Sequence, residues 1–483
     1  MIKEFKFILL FTLLSPVISH SKAGINLYLE NNCSKPITSS YTDQDHTELS
    51  EEVSANTTKK LTYLSTGRWQ GNEFTDTMTL TDNTHPRTNP LGSLTFTLDN
   101  GLLANHFDIN QQTGQVASDS ASMEWHSWYG TPNVTLSTCP QSLDISQSNL
   151  LKGVSRVIIF GDSLSDKGTL FEYSLGIIPS AKAYYNGMFS NSDVWSKLLE
   201  NHLNTYHIDV SNYAVGGATA VLNSDLKHLP YSLNSENSAF NTNALEKNWP
   251  AEDYKHFLAI IFIGANDYLT LPKDMSVQAK ETLTTQVVNS IKEEVDKLMS
   301  KGVQKFVFIN LPDLALTPES RDDLQNTQTT HYVPERHNEK LYNFIQDYKN
   351  NYGSLGDHFE LIDLYPLFNT ITQPTSSEFK KLIEKYHLKI TNTTDSCWNG
   401  GYTVRSQQSM NSNNYRSAIF NAQPNLPRNS DILVAIQTAT SGTMCSDPEH
   451  YIFWDRVHPT RQVQQVLYQT IVSTLGAKIT TSI

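Results

Sequence analysis

The chain is short of charge, of cysteine and of long apolar runs. Charged residues make up 18% of its 483 residues, and 36 Lys and Arg stand against 49 Asp and Glu, a net charge of −13. Neutralising a long run of phosphates requires a basic surplus, so nucleic acid is not an expected partner. With 22 glycines, 19 prolines and 38% apolar residues, the chain is neither collagen-like nor wholly disordered. Beyond the N-terminus no stretch reaches the ~18 consecutive apolar residues that mark a membrane span. No polybasic patch offers electrostatic docking to anionic lipid. Four cysteines cannot form a dense disulfide scaffold, and no C-x-x-C or Cys/His pair stands at zinc-ligand spacing. No metal and no cofactor is expected.

What is present begins with residues 1–23, where Lys3 and Lys6 precede an apolar run from Phe7 to Ile18, followed by Ser21 and Ala23. The run is roughly half of the ~20 residues a bilayer span needs and contains Pro16, so a cleavable secretory signal is expected in preference to a membrane anchor. Removing it takes away Lys3, Lys6, Lys22 and Glu4 and moves the charge from −13 to 33 − 48 = −15. Export to an oxidising compartment favours disulfides. Four cysteines allow three pairings, of which Cys33 with Cys139 and Cys397 with Cys445 keeps each bridge inside one segment.

Residues 24–140 are rich in Thr, Ser and Asn and alternate with period two, as in Thr77-Met78-Thr79-Leu80-Thr81 and Ser93-Leu94-Thr95-Phe96-Thr97-Leu98. That pattern predicts half-buried strands, here a small β-sandwich. Trp69, Trp125, Trp128 and Tyr129 are read as core or rim residues of it, with contact at a lipid interface as the alternative. Residues 141–152 are polar and aperiodic and are read as a linker.

From 153 to 483 the pattern changes. Short continuous apolar runs at Ser155 to Gly161, Phe257 to Gly264, Lys305 to Asn310 and Phe359 to Leu364 suit strands buried on both faces. Helical periodicity occupies Ser192 to Leu203, Val277 to Met299, Pro334 to Tyr348 and Val463 to Leu475. The alternation predicts an α/β domain with a doubly wound parallel sheet. Thr372 to Pro448, polar and weakly periodic, is expected to be loop.

Four short motifs carry chemistry. Gly161-Asp162-Ser163-Leu164-Ser165-Asp166 directly follows the first apolar run, which puts Ser163 at the carboxyl end of a strand, where open α/β sheets build their sites. The alternative for Ser163 is a helix N-cap. Asp455-Arg456-Val457-His458 spaces a carboxylate three residues before an imidazole, close enough to hold its N–H and supply the base a serine hydroxyl needs. Asn212-Tyr213-Ala214-Val215-Gly216-Gly217-Ala218 and Gly264-Ala265-Asn266-Asp267 offer an unobstructed backbone N–H at Gly217 and a side-chain amide at Asn266. Both are donors of the kind an oxyanion requires.

In that order, from about Ser155 to Leu475, the motifs resemble those of the GDSL-type lipase/esterase family, the SGNH hydrolases. The resemblance implies a sheet of flavodoxin-like type, a nucleophile at Ser163, a base at His458 oriented by Asp455, and an oxyanion hole of Ser163, Gly217 and Asn266. FGDSLSDKG, NYAVGGATA and Asn310-Leu311-Pro312-Asp313 to Pro318, with the Cys397 and Cys445 pair, look most like bacterial secreted phospholipases and glycerophospholipid:cholesterol acyltransferases. Thr169 departs from the Asn common at that position in the group. The N-terminal region is similar to one carried by thermolabile-haemolysin-like phospholipases.

By that resemblance the substrate is a phospholipid or lysophospholipid at a membrane or micelle surface, with cholesterol as a candidate acceptor. The Cys397 to Cys445 loop, with Ile432 to Ile436 and the cut sites Arg405, Arg416 and Arg428, is a candidate lid for an activating protease, or a static loop. Rival readings are a carbohydrate or aryl esterase on the same scaffold, and a binding or adhesion module carried by the β-rich segment.

Overall fold

The computed structural model describes residues 24–481, apart from 67–72, 83–90, 101–104, 126–130, 222–230, 354–357, 405–437 and stretches of one to three residues elsewhere. The expected signal segment 1–23, Trp69, Trp128, Tyr129, Arg405, Arg416, Arg428 and Ile432 to Ile436 lie outside the described residues, and Trp125 is described in backbone only.

Residues 24–138 form two sheets. Glu48–Val53, Ile37–Thr42, Glu73–Asp82, Gly92–Asn100, Asn105–Gly114 and Ser122–Trp125 make an antiparallel sheet in that order. Thr57–Ser65, Gly24–Asn31, Asn133–Thr138 and Val116–Ser118 make a second, in which Gly24–Asn31 and Asn133–Thr138 run parallel. The period-two pattern has its expected consequence. Met78, Leu80, Leu94, Phe96 and Leu98 of one sheet and Leu27, Leu29, Val134 and Leu136 of the other belong to one buried cluster. On the opposite face Thr75 and Thr77 hydrogen-bond Thr97 and Thr95 across the strands at 2.8 Å each. A disulfide between Cys33 and Cys139 joins the chain just beyond the two parallel strands.

The stretch 141–152, read as a linker, carries regular structure. Gln141–Asp144 pairs antiparallel with Lys478–Thr481 at the far end of the chain. Leu150 and Leu151 are buried, Ser148 donates to the carbonyl of Leu475, and Lys305 Nζ donates to the carbonyls of Leu150 and Lys152 at 2.8 and 2.7 Å. The partners that fix this segment lie more than 150 residues away, so its own composition held no trace of them.

The second body is an α/β fold. Five parallel strands lie in the order Asp209–Asn212, Arg156–Gly161, Phe257–Phe262, Lys305–Ile309, Phe359–Ile362. By chain position that is 2-1-3-4-5, so the order reverses at the first strand, whose neighbours are the second and third. Helices Trp195–Asn204, Leu233–Glu246, Val277–Lys301, Leu324–Asn351 and Arg461–Thr474 accompany the sheet. The strand Phe257–Phe262 is buried along its whole length, which explains an unbroken apolar run.

Two differences from the sequence reading are instructive. The helix expected to start at Pro334 begins at Leu324 and runs through the proline. Contacts on both sides hold it: His331 Nδ1 lies 2.6 Å from Asp313, while Arg336 and Lys340 donate to Glu281 of the neighbouring helix at 2.6 and 2.8 Å. The polar stretch after Thr372 is not all loop. Ser377–Tyr386 is a helix whose N-cap Ser376 accepts from the Phe379 N–H at 3.0 Å, with Phe379 as its one buried residue.

Candidate active site

The strand order reverses at Arg156–Gly161; Ser163, Gly217 and Asn266 sit on the loops that leave the carboxyl ends of the first three strands, and Asp455 and His458 follow the short strand Tyr451–Phe453. Ser163 follows strand Arg156–Gly161 on a tight turn in which the Ser165 and Asp166 N–H groups both donate to the Asp162 carbonyl at 2.9 Å. The next helix, Thr169–Tyr173, is capped at Gly168, so Ser163 is not an N-cap residue. Gly161 allows this packing, because a Cβ there would stand 2.5 Å from the Phe262 carbonyl oxygen of the adjacent strand.

Ser163, Asp455 and His458, 295 residues apart at the extremes, meet in one buried chain. His458 Nε2 lies 2.7 Å from Ser163 Oγ, and His458 Nδ1 lies 2.8 Å from Asp455 Oδ2. Asp455 Oδ1 also accepts the N–H groups of Val457 and His458 at 2.8 and 2.7 Å, which folds the short motif on itself. Burial pushes the Asp455 carboxyl up, but the His458 charge and these hydrogen bonds outweigh it and hold the group below its ordinary value. An ionised Asp455 can only accept a hydrogen bond, which favours the tautomer with the proton on Nδ1; in that tautomer the Nε2 lone pair faces the Ser163 hydroxyl and can take its proton.

Gly217 and Asn266 lie on the two neighbouring loops, which are tied to each other. Gly217 has φ +79°, a conformation glycine adopts without strain. Asn266 Nδ2 donates to the Ala218 carbonyl at 2.9 Å, and Asp267 accepts the N–H groups of Ala220 and Val221 at 2.7 and 3.1 Å. The Asn266 amide has a second N–H, and Gly217 and Asn266 are both partly exposed.

Several residues beyond these five contribute. Asp166 accepts four backbone N–H groups, three from Gly168, Thr169 and Leu170 and one from Gly216, so it fastens the serine loop to the glycine turn. Glu236 reaches from its helix to the Gly161 N–H at 2.9 Å. Burial raises Asp162 and Asp166 to about 6, Asp267 to about 7, and Glu236 well above its ordinary value. Tyr184 donates its hydroxyl to Asp455 Oδ2 at 2.8 Å, and the Phe189 ring lies 4.9 Å from the His458 ring. Nothing local to Tyr184 locates its partner 271 residues away.

The second disulfide joins Cys397 to Cys445, and Cys445 N–H donates to the Cys397 carbonyl at 2.8 Å. Within that ring 405–437 lie outside the described residues, so the expected lid has no structural account. Among the described residues no group of three or more His, Cys, Asp and Glu could hold a metal, and no helix is long and apolar enough to cross a membrane.

Known proteins are similar to this chain in sequence. Phosphatidylcholine-sterol acyltransferase of Aeromonas hydrophila is 27% identical over 334 residues, 68% of this chain and 91% of its own length. Secreted effector protein SseJ of Salmonella typhimurium is 32% identical over 169 residues, 35% of this chain and 37% of its own. Thermolabile hemolysin of Vibrio parahaemolyticus is 23% identical over 310 residues, covering 64% and 60%. The model of the GDSL-like lipase/acylhydrolase family matches residues 157–471, a span that includes all five motif residues. With that match over well more than half of the sequence, and with the α/β sheet on which the motifs stand, the chain belongs to the GDSL-like lipase/acylhydrolase family.

Proposed function

We propose that this protein is an exported serine esterase that releases fatty acid from phospholipid or lysophospholipid through an acyl-enzyme. The chain is read as a signal segment 1–23, a β-sandwich 24–140, a connecting segment 141–152 and a hydrolase domain 153–483. Two disulfides fit an oxidising compartment.

The observation that carries the reading is the buried series Asp455, His458, Ser163 at 2.8 and 2.7 Å. In the proposed mechanism Ser163 Oγ attacks the ester carbonyl carbon while His458 Nε2 takes its proton. The electron pair moves to the carbonyl oxygen, which the N–H groups of Ser163 and Gly217 and the Asn266 amide stabilise. As the intermediate collapses, His458 gives the proton to the departing alcohol oxygen and the acyl group stays on Ser163. Water, deprotonated by the same imidazole, then releases the fatty acid and restores the hydroxyl. A sterol hydroxyl in place of water yields a sterol ester.

Lipid is favoured as substrate because the Aeromonas relative is named for phosphatidylcholine and sterol. Purified protein offered mixed phospholipids with and without cholesterol, before and after limited proteolysis, should release fatty acid, and Ser163→Ala should release none. Activity confined to acetyl esters would replace this reading with a carbohydrate or aryl esterase. Lipolysis undiminished in Ser163→Ala would overturn the mechanism.

A further inference from the structure

The β-sandwich touches the hydrolase body where the catalytic histidine and aspartate are held. Segment 184–190 lies between them. On its inner side Tyr184 donates to Asp455 at 2.8 Å, Phe189 packs on the His458 ring at 4.9 Å, and Ser190 Oγ donates to the Pro459 carbonyl at 2.9 Å. On its outer side Tyr185 and Asn186 face the sandwich. The Asn186 amide makes a two-way bond with the Asn133 backbone, accepting its N–H and donating to its carbonyl at 3.0 Å each. The Tyr185 hydroxyl lies 2.8 Å from Thr135 Oγ1, and its ring meets Tyr28 edge to face at 6.5 Å.

A second contact arrives from the other side of His458. Arg461, three residues after the histidine and opening the last helix, donates to Glu30 of the sandwich at 2.8 Å and to Glu449 at 3.3 Å. Its side chain is only 14% exposed, and that of Glu30 17%, so this ion pair is largely shielded from solvent. Glu30, Tyr28, Asn133 and Thr135 all lie on the two parallel strands Gly24–Asn31 and Asn133–Thr138.

We infer that the β-sandwich is a brace for the catalytic groups: its two parallel strands clamp segment 184–190 and Arg461, and through them fix the positions of Asp455 and His458. The inference rests on the assignment of Ser163, His458 and Asp455 proposed above. Tyr184, Phe189 and Arg461 are positioning residues in it, since none of them has to touch substrate. The physical basis is that a reacting geometry displaced by about 1 Å costs on the order of 10²-fold in rate, so a contact far from substrate acts on turnover more than on binding.

The test uses the full chain with the clamp loosened from outside the catalytic machinery, as Glu30→Gln, Thr135→Val and Asn186→Gly together. Glycine accepts the φ of +47° at 186, so that substitution removes the amide without straining the backbone. With a soluble short-chain p-nitrophenyl ester, kcat should fall at least about tenfold while KM stays within about twofold, and labelling of Ser163 by a p-nitrophenyl phosphonate should slow in parallel. An unchanged kcat, or a change in KM alone, overturns the brace. If the triple variant does not fold, Thr135→Val and Asn186→Gly singly decide in the same way, each with a loss in kcat of at least about threefold. A silent Ser163→Ala beside a fully active triple variant removes the brace and leaves the proposed mechanism standing. An active Ser163→Ala removes the mechanism itself.

Discussion

Asp455 is held by four donors. It accepts from the N–H groups of Val457 and His458, from His458 Nδ1 and from the Tyr184 hydroxyl. An amide of the same shape supplies one acceptor oxygen and an NH2 that cannot receive the Nδ1 proton, so Asp455→Asn leaves the imidazole in the wrong tautomer. The expected loss in kcat is about 10³- to 10⁴-fold with the fold retained, read from ester hydrolysis beside circular dichroism. A variant within tenfold of the parent would deny Asp455 its orienting role. Ser163, Gly217, Asn266, Asp455 and His458 could be named as candidates because each stands in a short motif whose chemistry is local. Tyr184 and Phe189 could not, since their partners Asp455 and His458 lie far along the chain and no spacing rule connects them; Asp166 stands in the serine motif, but its tie to Gly216 spans 50 residues.

The loops at the carboxyl ends of the first three strands are held by buried carboxylates rather than by apolar packing alone. Asp162, Asp166 and Asp267 have values raised to about 6, 6 and 7, each because burial disfavours the charge, and Glu236 is raised further for the same reason. The unfolded chain loses these protons near pH 4, the folded chain only near 6 to 7, so the folded state binds more protons between the two and stability falls as pH rises through that window. Asp455, held low, acts in the opposite sense, but only as pH drops below about 4. Thermal melts should therefore give a higher Tm near pH 5 than near pH 7.5. A Tm that climbs steadily from 5 to 7.5 would mean that these loops carry their charges at little cost.

Gly216 tests the same loops by shape. A Cβ there would come within 2.4 Å of the Phe189 ring, which packs on His458. Gly216→Ala should cost about 1–3 kcal/mol of stability by overpacking and reduce kcat with it, measured by urea denaturation and ester hydrolysis. Equal stability and equal turnover would show that Phe189 has room to yield. The apolar runs made the strands of the parallel sheet legible, since a strand buried on both faces has to be apolar throughout. The helix through Pro334 was hidden because its continuation depends on Asp313 and Glu281, outside the window that local propensity samples.

The whole molecule combines a net negative charge with two disulfides. Cys33 and Cys139 close a loop of 106 residues, for which a chain-entropy account gives about 5 kcal/mol. Replacing both by serine should lower the Tm of the sandwich core, and by the brace argued above should lower kcat as well. Calorimetry with a parallel activity assay reads both. The net charge, −13 for the whole sequence and −15 without residues 1–23, sets a further expectation for the proposed lipolysis. At low ionic strength zwitterionic vesicles should be attacked faster than anionic ones, and the difference should shrink as salt shortens the Debye length to about 8 Å near 0.15 M. Faster attack on anionic vesicles would point to a local basic surface that the overall balance conceals.

The sequence by itself determined what short-range chemistry can encode. Alternation made a sandwich, continuous apolar runs made a parallel sheet, and four motifs named the candidate serine, the two candidate donors and the aspartate-histidine pair of the proposed mechanism, because neighbouring residues in a turn or strand share their fate. Only the tertiary structure decided what those groups are held by. The anchoring of 141–144 on 478–481, the tie from Asp166 to Gly216, the hydroxyl of Tyr184 on Asp455 and the clamp of Glu30 on Arg461 all join residues far apart in the chain. Such contacts are products of how the elements pack, and packing is a property of the whole fold that no local pattern contains.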